Sequence, residues 1–542
     1  MTKKSLSLIV SIMLALSFIV SGCSSKNTNE STNEGNQQST NTKEPSKEPS
    51  KEQVITLNAQ SEPPSLNPAA IDNGVAGNIA NQLFEGLVRL DKDGNVMPGV
   101  AEKWNISEDK TVYTFNLNKN AKWSNGKNVT ANDFVYSWER TLRPEVAAPL
   151  GSNLFFIKNG AAYNEGAITD PSQLGIKAID ESTLEITLEQ PTSFFLGLTS
   201  FFTLLPINKE VAESNDKWDT EASTFVSNGP FKLESWKHDQ EMVMVPNEHY
   251  WAKDVVKIDK IKWVMVNDQN TEYQMFQSGQ IDVTDNIPNT LRGQLISDKK
   301  AGSVTTTGVS YLRYNHEDSN FSNAKIRKAL GLALDRQLLV DKVTKGGEIP
   351  ALAFIPFGLG SGAGEFRKLA GDTLFKDNDV ETAKTLLAEG LQEKGLSSLP
   401  KVSLLFRSND TNNKLAQAMQ EMWSKNLGIE VELQTMEPKV FVQNVKAGQY
   451  QLALYSTGAD FDDASNLFGQ FVTGDVYNYS KISIPEYDQL INAAGTELDA
   501  QKRAQYMVDA EKVLIDQMAL APLYYGTSVY MQQDHLKNVY RY

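Results

Sequence analysis

Three aspartates that lie close together, Asp460, Asp462 and Asp463, have the chemistry needed to bind a charged ligand. They follow residues 456–459, which are all small and leave room for a ligand backbone to approach. A partly desolvated carboxylate attracts an ammonium group far more strongly than one in open water. We therefore predict that Asp460 binds an ammonium group. The alternative is that Asp462 or Asp463 caps the predicted helix containing 466–468.

The elements before this loop are expected to place Asp460 at the edge of a sheet. Alternation of apolar residues predicts strands at 402–406, 429–433 and 451–454, with helices at 413–426 and 440–446 between them. A β-α-β-α-β succession is typical of a mostly parallel α/β sheet. Because such sheets hold their ligands outside the carboxyl ends of the strands, the last strand delivers Asp460 to the ligand edge.

The amino terminus has the pattern of an exported protein. Lys3 and Lys4 precede an apolar run over 6–20, which predicts a signal peptide at residues 1–22. Val20-Ser-Gly-Cys23 resembles the lipobox of bacterial lipoproteins, in which Cys23 is acylated, for example with palmitate. The alternative is an ordinary signal peptide with a chance cysteine. Residues 24–52 hold almost no apolar side chain, so residues 23–52 are predicted to be a lipidated cysteine and a disordered tether.

Composition excludes several classes of partner. The chain has 542 residues, more than one ordinary core, and a net charge of −15. Removing residues 1–22 would lower the 52 cationic residues to 50 against 67 acidic ones, a net charge of −17. This balance disfavours nucleic acids and anionic membrane surfaces. Two acyl chains would hold the protein at a membrane without a basic patch. Cys23 is the only cysteine, so no disulfide can form within the chain.

The sequence does not favour catalysis or a metal. The three clustered aspartates lie on one loop, so they cannot flank a scissile bond as an acid and base pair would. No Gly-x-Ser-x-Gly elbow is present, and the four histidines show no ligand spacing. The loop also lacks the spaced oxygen ligands of a calcium site. We expect no catalytic residue, no metal and no cofactor.

Several motifs occur along the chain in the order and spacing of one protein family. They are Leu83-Phe-Glu-Gly-Leu87, Ala121-Lys-Trp-Ser-Asn-Gly126, Thr130-Ala-Asn-Asp-Phe-Val-Tyr-Ser-Trp138, Ser227-Asn-Gly-Pro230, Gln277-Ser-Gly-Gln-Ile-Asp282, Ile326-Arg-Lys-Ala-Leu330 and Ala459-Asp460. Over about residues 55–525 the chain resembles the family 5 extracellular solute-binding proteins, the oligopeptide- and dipeptide-binding components of ABC importers. The leader and tether are similar to those of the Gram-positive, membrane-anchored branch.

The resemblance implies an α/β fold of the periplasmic-binding-protein-like type (type II, cluster C) with three lobes and two hinge crossings. The implied first lobe takes 53–84, 206–309 and 526–542, the second 85–205 and the third 310–525. The crossings would lie near 308–311 and 524–526, and would let two lobes close around a peptide. Relatives commonly run past the point that matches residue 542, so the last strands of the first lobe are expected to be short.

The resemblance also implies a binding site. Asp460 matches the acid that holds a peptide's amino terminus, beside Ala459, Gly458 and Thr457. The segment that pairs with the ligand backbone matches Asn73, Gly74 and Val75, and such pairing would make affinity independent of side-chain identity. Further matched positions near the cleft are Gln274, Tyr311, Asn412, Asn478 and Tyr525. For Tyr311 and Tyr525 the alternative is a place in the core, and for Gly74 a role in a turn.

Departures from the family restrict what can be carried over. Leu454 stands where an enteric member has an arginine, Pro438 where it has a tryptophan, and Asn412 where it has a histidine. Ligand length and preference therefore stay open, from dipeptides to oligopeptides or cell-wall peptides. The implied protein is a monomeric receptor, lipid-anchored at the extracellular face of the cell membrane, that delivers peptides to an ABC permease. The alternative function is peptide sensing without import.

Overall fold

The alternating apolar patterns form four sheets in the computed structural model, which describes residues 52–92 and 94–540. The signal peptide, Cys23 and the tether lie outside these described residues. Among the described helices, none is long and apolar enough to cross a membrane. The strands are β1 (Val54–Asn58), β2 (Val88–Leu90), β3 (Val96–Pro98), β4 (Ala101–Ile106), β5 (Val112–Leu117), β6 (Ile176–Asp180), β7 (Thr183–Thr187), β8 (Phe231–Lys237), β9 (Glu241–Pro246), β10 (Lys260–Val264), β11 (Val283–Thr284), β12 (Gly302–Tyr314), β13 (Ile349–Pro350), β14 (Val402–Arg407), β15 (Val431–Met436), β16 (Leu452–Gly458) and β17 (Leu520–Gln532).

Helices cover the sheets and connect their strands. They are α1 (Gly74–Leu83), α2 (Ala131–Leu142), α3 (Gly160–Asn164), α4 (Phe195–Leu198), α5 (Lys209–Ser214), α6 (Gln269–Gln277), α7 (Asn289–Ser297), α8 (Ala324–Leu332), α9 (Arg336–Leu338), α10 (Phe366–Ala370), α11 (Val380–Glu393), α12 (Asp410–Leu427), α13 (Pro438–Lys446), α14 (Ser465–Gly469), α15 (Pro485–Thr496) and α16 (Ala500–Asp516).

The first half of the chain holds the two-stranded sheet β2-β3 and two four-stranded sheets. In the order β1-β10-β9-β8, the first strand pairs in parallel with a strand far along the chain, from Val54 opposite Lys260 to Asn58 opposite Val264. The second sheet has the order β4-β5-β7-β6 and is antiparallel throughout. One apolar core of buried side chains is shared by both sheets, and it includes Trp123 and Trp138. The predicted capping box begins α2, where the Thr130 amide donates to Asp133 Oδ2 at 2.8 Å.

The third large sheet has the order β11-β17-β12-β16-β14-β15. β14 is parallel to both β15 and β16, as the predicted β-α-β-α-β succession requires. β16 continues past the predicted end at residue 454 because Thr457 and Gly458 pair with Val309 and Gly308 of β12. Helices on both faces give two separate cores, one around Trp423 and one around Phe471.

The two predicted crossings lie in the two longest strands. β12 and β17 each have 13 residues and pair along most of their length. Their register shifts between Thr305 and Val309, opposite Gly526. A side chain at residue 526 would bring its Cβ to 2.8 Å from Thr306 Oγ1, which explains the glycine there. That these crossings act as hinges stays a prediction.

Two helices differ from the periodicity of the sequence. Apolar residues over 323–343 have the spacing of one helix, but the structure breaks it, because Asp335 caps a new start by accepting from the Leu338 amide and buried Arg336 turns inward to Asp377. Apolar residues over 78–88 also have helical spacing, but α1 begins earlier, at Gly74, because Asn73 Oδ1 accepts from the Ala76 amide.

The strands around residue 230 also differ from the sequence pattern, which predicts strands at 227–233 and 261–266 around a turn. Residues 227–230 precede β8 instead of belonging to it, and β9 lies between these two strands.

Candidate ligand-binding site

A cavity of about 830 Å³ lies between the third large sheet and the segment from residue 152 to residue 194. Its volume is in the range of pockets that hold small ligands. Polar and aromatic side chains form most of its wall. They include Asn153, Phe156, Gln190, Phe194, Arg313, Lys446, Tyr455, Thr457, Asp460, Phe461, Asp475, Tyr477, Tyr479 and Arg503.

Asp460 faces this cavity two residues beyond the end of β16. Its backbone amide donates to Asn466 Oδ1 at 3.1 Å, which fixes the turn. Among the described residues, no side chain pairs with its carboxylate. The carboxylate is reached from the cavity, yet enough protein surrounds it that desolvation raises its pKa. This arrangement leaves an acid whose charge a cationic ligand would stabilise.

The other two aspartates of the loop have structural partners. Asp463 is buried and binds Arg503 through both oxygens, at 2.8 and 2.9 Å. It also accepts from the Ser465 amide at the start of α14, at 2.9 Å. Asp462 accepts from the Gly360 amide at 2.6 Å. The capping alternative is not what the structure has, because the N-cap of α14 is Ala464 and no side chain caps it, so Asp462 and Asp463 hold the loop and Asp460 is available to a ligand.

Aromatic contacts join the two walls of the cavity next to Asp460. The Phe461 ring stacks on Phe194 with centroids 4.1 Å apart and meets Phe156 edge to face at 5.8 Å. Phe156 and Phe194 belong to the part of the chain that flanks the second sheet. Phe461 belongs to the loop after β16 of the third large sheet. Such aromatic pairs contribute about 0.5–1.5 kcal/mol each beyond the area they bury.

A buried cation lies in the wall formed by β12. Arg313 is 1% exposed and pairs across the sheet with Ala453 of β16. Its guanidinium donates to Ser480 Oγ at 3.1 Å and to the Tyr311 hydroxyl. No motif or spacing in the sequence singles out Arg313. The available signal was one charged residue in the apolar run Val309-Ser-Tyr-Leu-Arg-Tyr314.

The structure places only part of the predicted set at this cavity. Thr457, Gly458 and Asp460 line it. Ala459 lies between them, and its amide donates to the Thr307 carbonyl at 3.2 Å.

The segment predicted to pair with the ligand backbone is not extended. Asn73 is the N-cap of α1, and Gly74 and Val75 begin its first turn, so the segment does not form an extended strand. Gly74 does not lie in a loop turn either, which was the alternative considered for it. Gln274 is exposed on α6. Neither region lines the cavity described here.

The remaining predicted site residues have packing roles. Tyr311 and Tyr525 are buried at 0% and 1% exposure. Both therefore lie in the core, which was the alternative to a place at the cleft. The Tyr525 hydroxyl donates to the Ala353 carbonyl at 2.9 Å. Asn478 holds its own loop through Val472 and Ile482. Asn412 donates to the Arg407 carbonyl at 3.1 Å, in the first turn of α12. None of these four side chains lines the cavity.

Titratable clusters elsewhere show no second site of this kind. Over residues 52–92 and 94–540, no group of three or more His, Cys, Asp or Glu side chains is placed to hold a metal ion. His316 is mostly buried, and its Nε2 lies 2.9 Å from the Ala519 carbonyl. Burial, with the nearby charge of Arg327, lowers the pKa of His316 to about 4. This histidine is therefore neutral at physiological pH.

Comparison with known proteins gives consistent matches. Residues 95–479 match the model of a family described as bacterial extracellular solute-binding proteins, family 5 Middle. The chain is 39% identical over 490 residues to "Dipeptide-binding protein DppE" of Bacillus subtilis (strain 168), covering 90% of each chain.

Solved structures agree with this match. The fold is similar to "MppA Periplasmic Murein Tripeptide Binding Protein, Unliganded Open Form", with a TM-score of 0.77 and 30% identity over 90% of this chain and 94% of that one. It is also similar to "Listeria monocytogenes OppA bound to peptide", with a TM-score of 0.72 and 35% identity over 90% of this chain and 96% of that one. The predicted fold, the three-lobed type II periplasmic-binding-protein-like fold, is confirmed.

Proposed function

The chain belongs to the bacterial extracellular solute-binding proteins of family 5, and we propose that it is a receptor that captures peptides in the described cavity and delivers them to an ABC transporter permease. A relative named for dipeptide binding and a similar structure with a bound peptide support peptides as the ligand class. The observation that carries the proposal is Asp460, a carboxylate that faces the cavity with no partner among the described residues.

Asp460 would hold the amino terminus of the peptide. An amino terminus is charged at neutral pH, and burying it without a partner is costly. A carboxylate that protein already partly desolvates would compensate this cost, because the ion pair stabilises both charges. The small residues Thr457 and Gly458 leave space for the peptide backbone beside it. Recognition of a terminus and a backbone does not depend on side chains, which suits a receptor that takes many sequences.

Capture would involve closure of the lobes about β12 and β17. The likeness to an unliganded open form supports a conformation in which the first lobe stands away from the cavity. Asn73, Gly74, Val75 and Gln274 would approach the ligand only on closure. Small-angle scattering with and without a saturating peptide mixture should show a smaller radius of gyration with peptide. An unchanged radius would contradict closure.

Attachment to the membrane would come from Cys23 and the polar tether that follows it. The net charge of −15 disfavours electrostatic attachment to an anionic membrane, so acyl chains would supply the affinity. The folded part would act as a monomer on the outer face of the membrane. Cys23→Ser should release the protein into the medium or leave the signal peptide uncleaved. Salt-resistant membrane attachment of the variant would show that something else holds it.

The test of the function is a charge comparison at Asp460. Asp460→Asn keeps the shape of the side chain and removes its charge. Removing one partner of a buried ion pair costs roughly 2–5 kcal/mol, or on the order of 30- to several-thousand-fold in affinity. Calorimetry with a mixture of tri- to pentapeptides should show this loss for free amino termini. N-acetylated peptides should bind the parent weakly and lose little more in the variant.

Asp462→Asn is the matched control, because Asp462 lies two residues away and accepts from the Gly360 amide. It should keep the parent's preference for free amino termini. Binding of free-amino peptides by Asp460→Asn within threefold of the parent would show that Asp460 does not hold the amino terminus. If the parent retains no peptide at all, the proposed function itself is wrong.

A further inference from the structure

Four asparagines of the chain are followed directly by glycine: Asn73, Asn125, Asn159 and Asn228. In such a pair the glycine amide nitrogen can attack the carboxamide carbon of the asparagine, because glycine has no Cβ to hinder the approach. The attack needs an amide that is not held by an acceptor and a carboxamide that water can reach. The structure gives these two properties to the four pairs unequally.

Three of the four glycine amides are held by backbone carbonyls. The amides of Gly126, Gly160 and Gly229 donate at 2.7–2.8 Å to the carbonyls of Trp123, Ile157 and Leu83, in that order. Asn228 is in addition only 2% exposed, and its side chain is bonded to the Glu85 backbone at both ends. In these three pairs the attacking nitrogen must first break a hydrogen bond.

The pair Asn73–Gly74 has both properties. Both residues are exposed, and the Gly74 amide, the first of α1, has no acceptor among the residues that the structure describes. A Cβ built at residue 74 would meet no described atom beyond its own helix within 4 Å. The attacking nitrogen is therefore free and unobstructed.

Hydrogen bonds at both ends of the Asn73 carboxamide favour the same step. Its Oδ1 accepts from the Ala76 amide at 3.0 Å, and this donor stabilises the negative charge that develops on the oxygen during attack. Its Nδ2 donates to Asp72 Oδ1 at 2.9 Å. A carboxylate in this place can relay a proton to the nitrogen that leaves.

We propose that Asn73 is a site of spontaneous deamidation in the folded protein, with water as the co-reactant. The Gly74 nitrogen bonds to the Asn73 Cγ atom, its proton passes by way of Asp72 to Nδ2, and the Cγ–Nδ2 bond breaks to release ammonia. Water then opens the cyclic imide at either of its two carbonyls, and no atom is oxidised or reduced. The products are aspartate and isoaspartate, in which the main chain runs through Cβ and gains one carbon.

The two products change the start of α1 differently. Aspartate at residue 73 keeps an oxygen that can accept from the Ala76 amide, and it adds a negative charge where the helix dipole favours one. Isoaspartate displaces this oxygen, so the cap is lost. Residues 73–75 are the segment that would approach the ligand on closure, so isoaspartate should weaken peptide binding. This consequence alone rests on the proposed function.

The test is an ageing experiment on the full-length chain at pH 7.4 and 37 °C. Peptide mapping by mass spectrometry in heavy-oxygen water measures conversion at each pair, because only molecules that convert during the incubation take up the label. In the folded protein Asn73 should convert at least fivefold faster than Asn125. It should convert at least tenfold faster than Asn159 and Asn228. In guanidinium chloride the four rates should come within threefold of one another, because the unfolded chain has only the shared Asn-Gly sequence.

Two glycine variants separate the site from general effects. Gly74→Ala should slow conversion at Asn73 at least tenfold, because the methyl group hinders the nitrogen, while the open space there lets the protein fold. Gly197→Ala is the matched control, since residue 197 also lies in a helix with no described atom beyond that helix within 4 Å of an added Cβ. It should leave the rate at Asn73 unchanged. Asp72→Ala should slow this conversion at least threefold.

Conversion of Asn73 no faster than that of Asn125 in the folded protein, or an unchanged rate in Gly74→Ala, would overturn the proposal. An unchanged rate in Asp72→Ala would remove the proton relay from it. Aged protein that binds the tri- to pentapeptide mixture as tightly as fresh protein would leave the modification site intact and contradict its effect on binding. Fresh protein that binds no peptide would overturn the proposed function and leave the conversion rates as they are.

Discussion

The charged groups of the cavity wall and those of the packed interior of the same lobe are arranged in opposite ways. In the interior, each buried charge has a close partner, as in the pairs Asp463–Arg503 and Arg367–Glu511. At the cavity, Asp460 and Arg313 have no ionic partner among the described residues. Because a desolvated charge without a partner is destabilising, this difference is what the proposed function requires of groups kept free for a ligand. The interior charges should therefore control stability, and the cavity charges binding.

The largest effect should come from breaking an interior pair. Asp463→Asn would remove the counter-charge of the buried Arg503 guanidinium and turn one of its two carboxylate acceptors into an amide donor, leaving the Ser361 carbonyl at 2.9 Å and one neutral amide oxygen. Loss of one partner of a buried pair costs about 3–5 kcal/mol. Urea denaturation should show this loss in the free energy of unfolding.

Asp460→Asn is the matched control for this measurement. Desolvation raises the pKa of Asp460, so its ionised form already costs the folded state some stability at neutral pH. The amide should leave the free energy of unfolding unchanged or slightly higher. Equal losses in the two variants would contradict the division between interior and cavity charges.

Acid should destabilise the interior through His316. Its pKa falls from the ordinary 6.5 to about 4 in the folded protein, so the unfolded state binds the proton more readily between these values. The stability that the neutral ring provides is complete above about pH 6.5 and is lost as the pH falls toward 4. The loss is about 3 kcal/mol.

His316→Gln should flatten this pH dependence, because glutamine can still donate to the Ala519 carbonyl and does not titrate. Urea denaturation of the parent and the variant at pH 7, 5.5 and 4 measures the difference. A variant that loses as much stability as the parent over this range would show that other groups carry the acid sensitivity.

A bound peptide should stabilise the parent much more than it stabilises Asp460→Asn. A ligand that binds only the folded state at 100 times its dissociation constant adds about 2.7 kcal/mol. The melting temperature of the parent should therefore rise with the tri- to pentapeptide mixture, and that of Asp460→Asn should rise much less at the same concentration. Asp462→Asn should respond like the parent. Equal rises in melting temperature in all three proteins would show that Asp460 does not contribute to peptide binding.

Local sequence patterns predicted the β-α-β-α-β succession from β14 to β16 and the place of Asp460 after it, because both depend on periodicity and on the order of strands and helices. They could not predict that β16 continues to Gly458, since this depends on pairing with β12, a strand far away in the chain. The break between α8 and α9 likewise depends on the long-range contact between Arg336 and Asp377.

The candidate site shows the same limit. Asp460 was singled out because a carboxylate after a strand and small residues is a local pattern, and because it matches the acid that the family resemblance implies. Arg313 was missed because it stands out only by having no ionic partner among the described residues. A sequence does not show which side chains pair with one another. Tyr311 and Tyr525 were predicted near the cleft, but strand alternation alone does not tell which apolar face of a two-sided sheet meets a core and which meets a cavity.

The smallest effect should come from the uncharged contact beside Asp460. Phe461 stacks on Phe194 across the cavity at 4.1 Å, and neither ring carries a charge. In a double-mutant cycle with Phe461→Ala and Phe194→Ala, the coupling energy in peptide binding should be about 0.5–1.5 kcal/mol, or roughly two- to tenfold in affinity. Because the contact holds the walls together and does not touch the amino terminus, the loss should be equal for free-amino and N-acetylated peptides. A loss confined to free-amino peptides would mean that Phe461 acts by positioning Asp460, and the separation of charged and uncharged contributions at this wall would then be wrong.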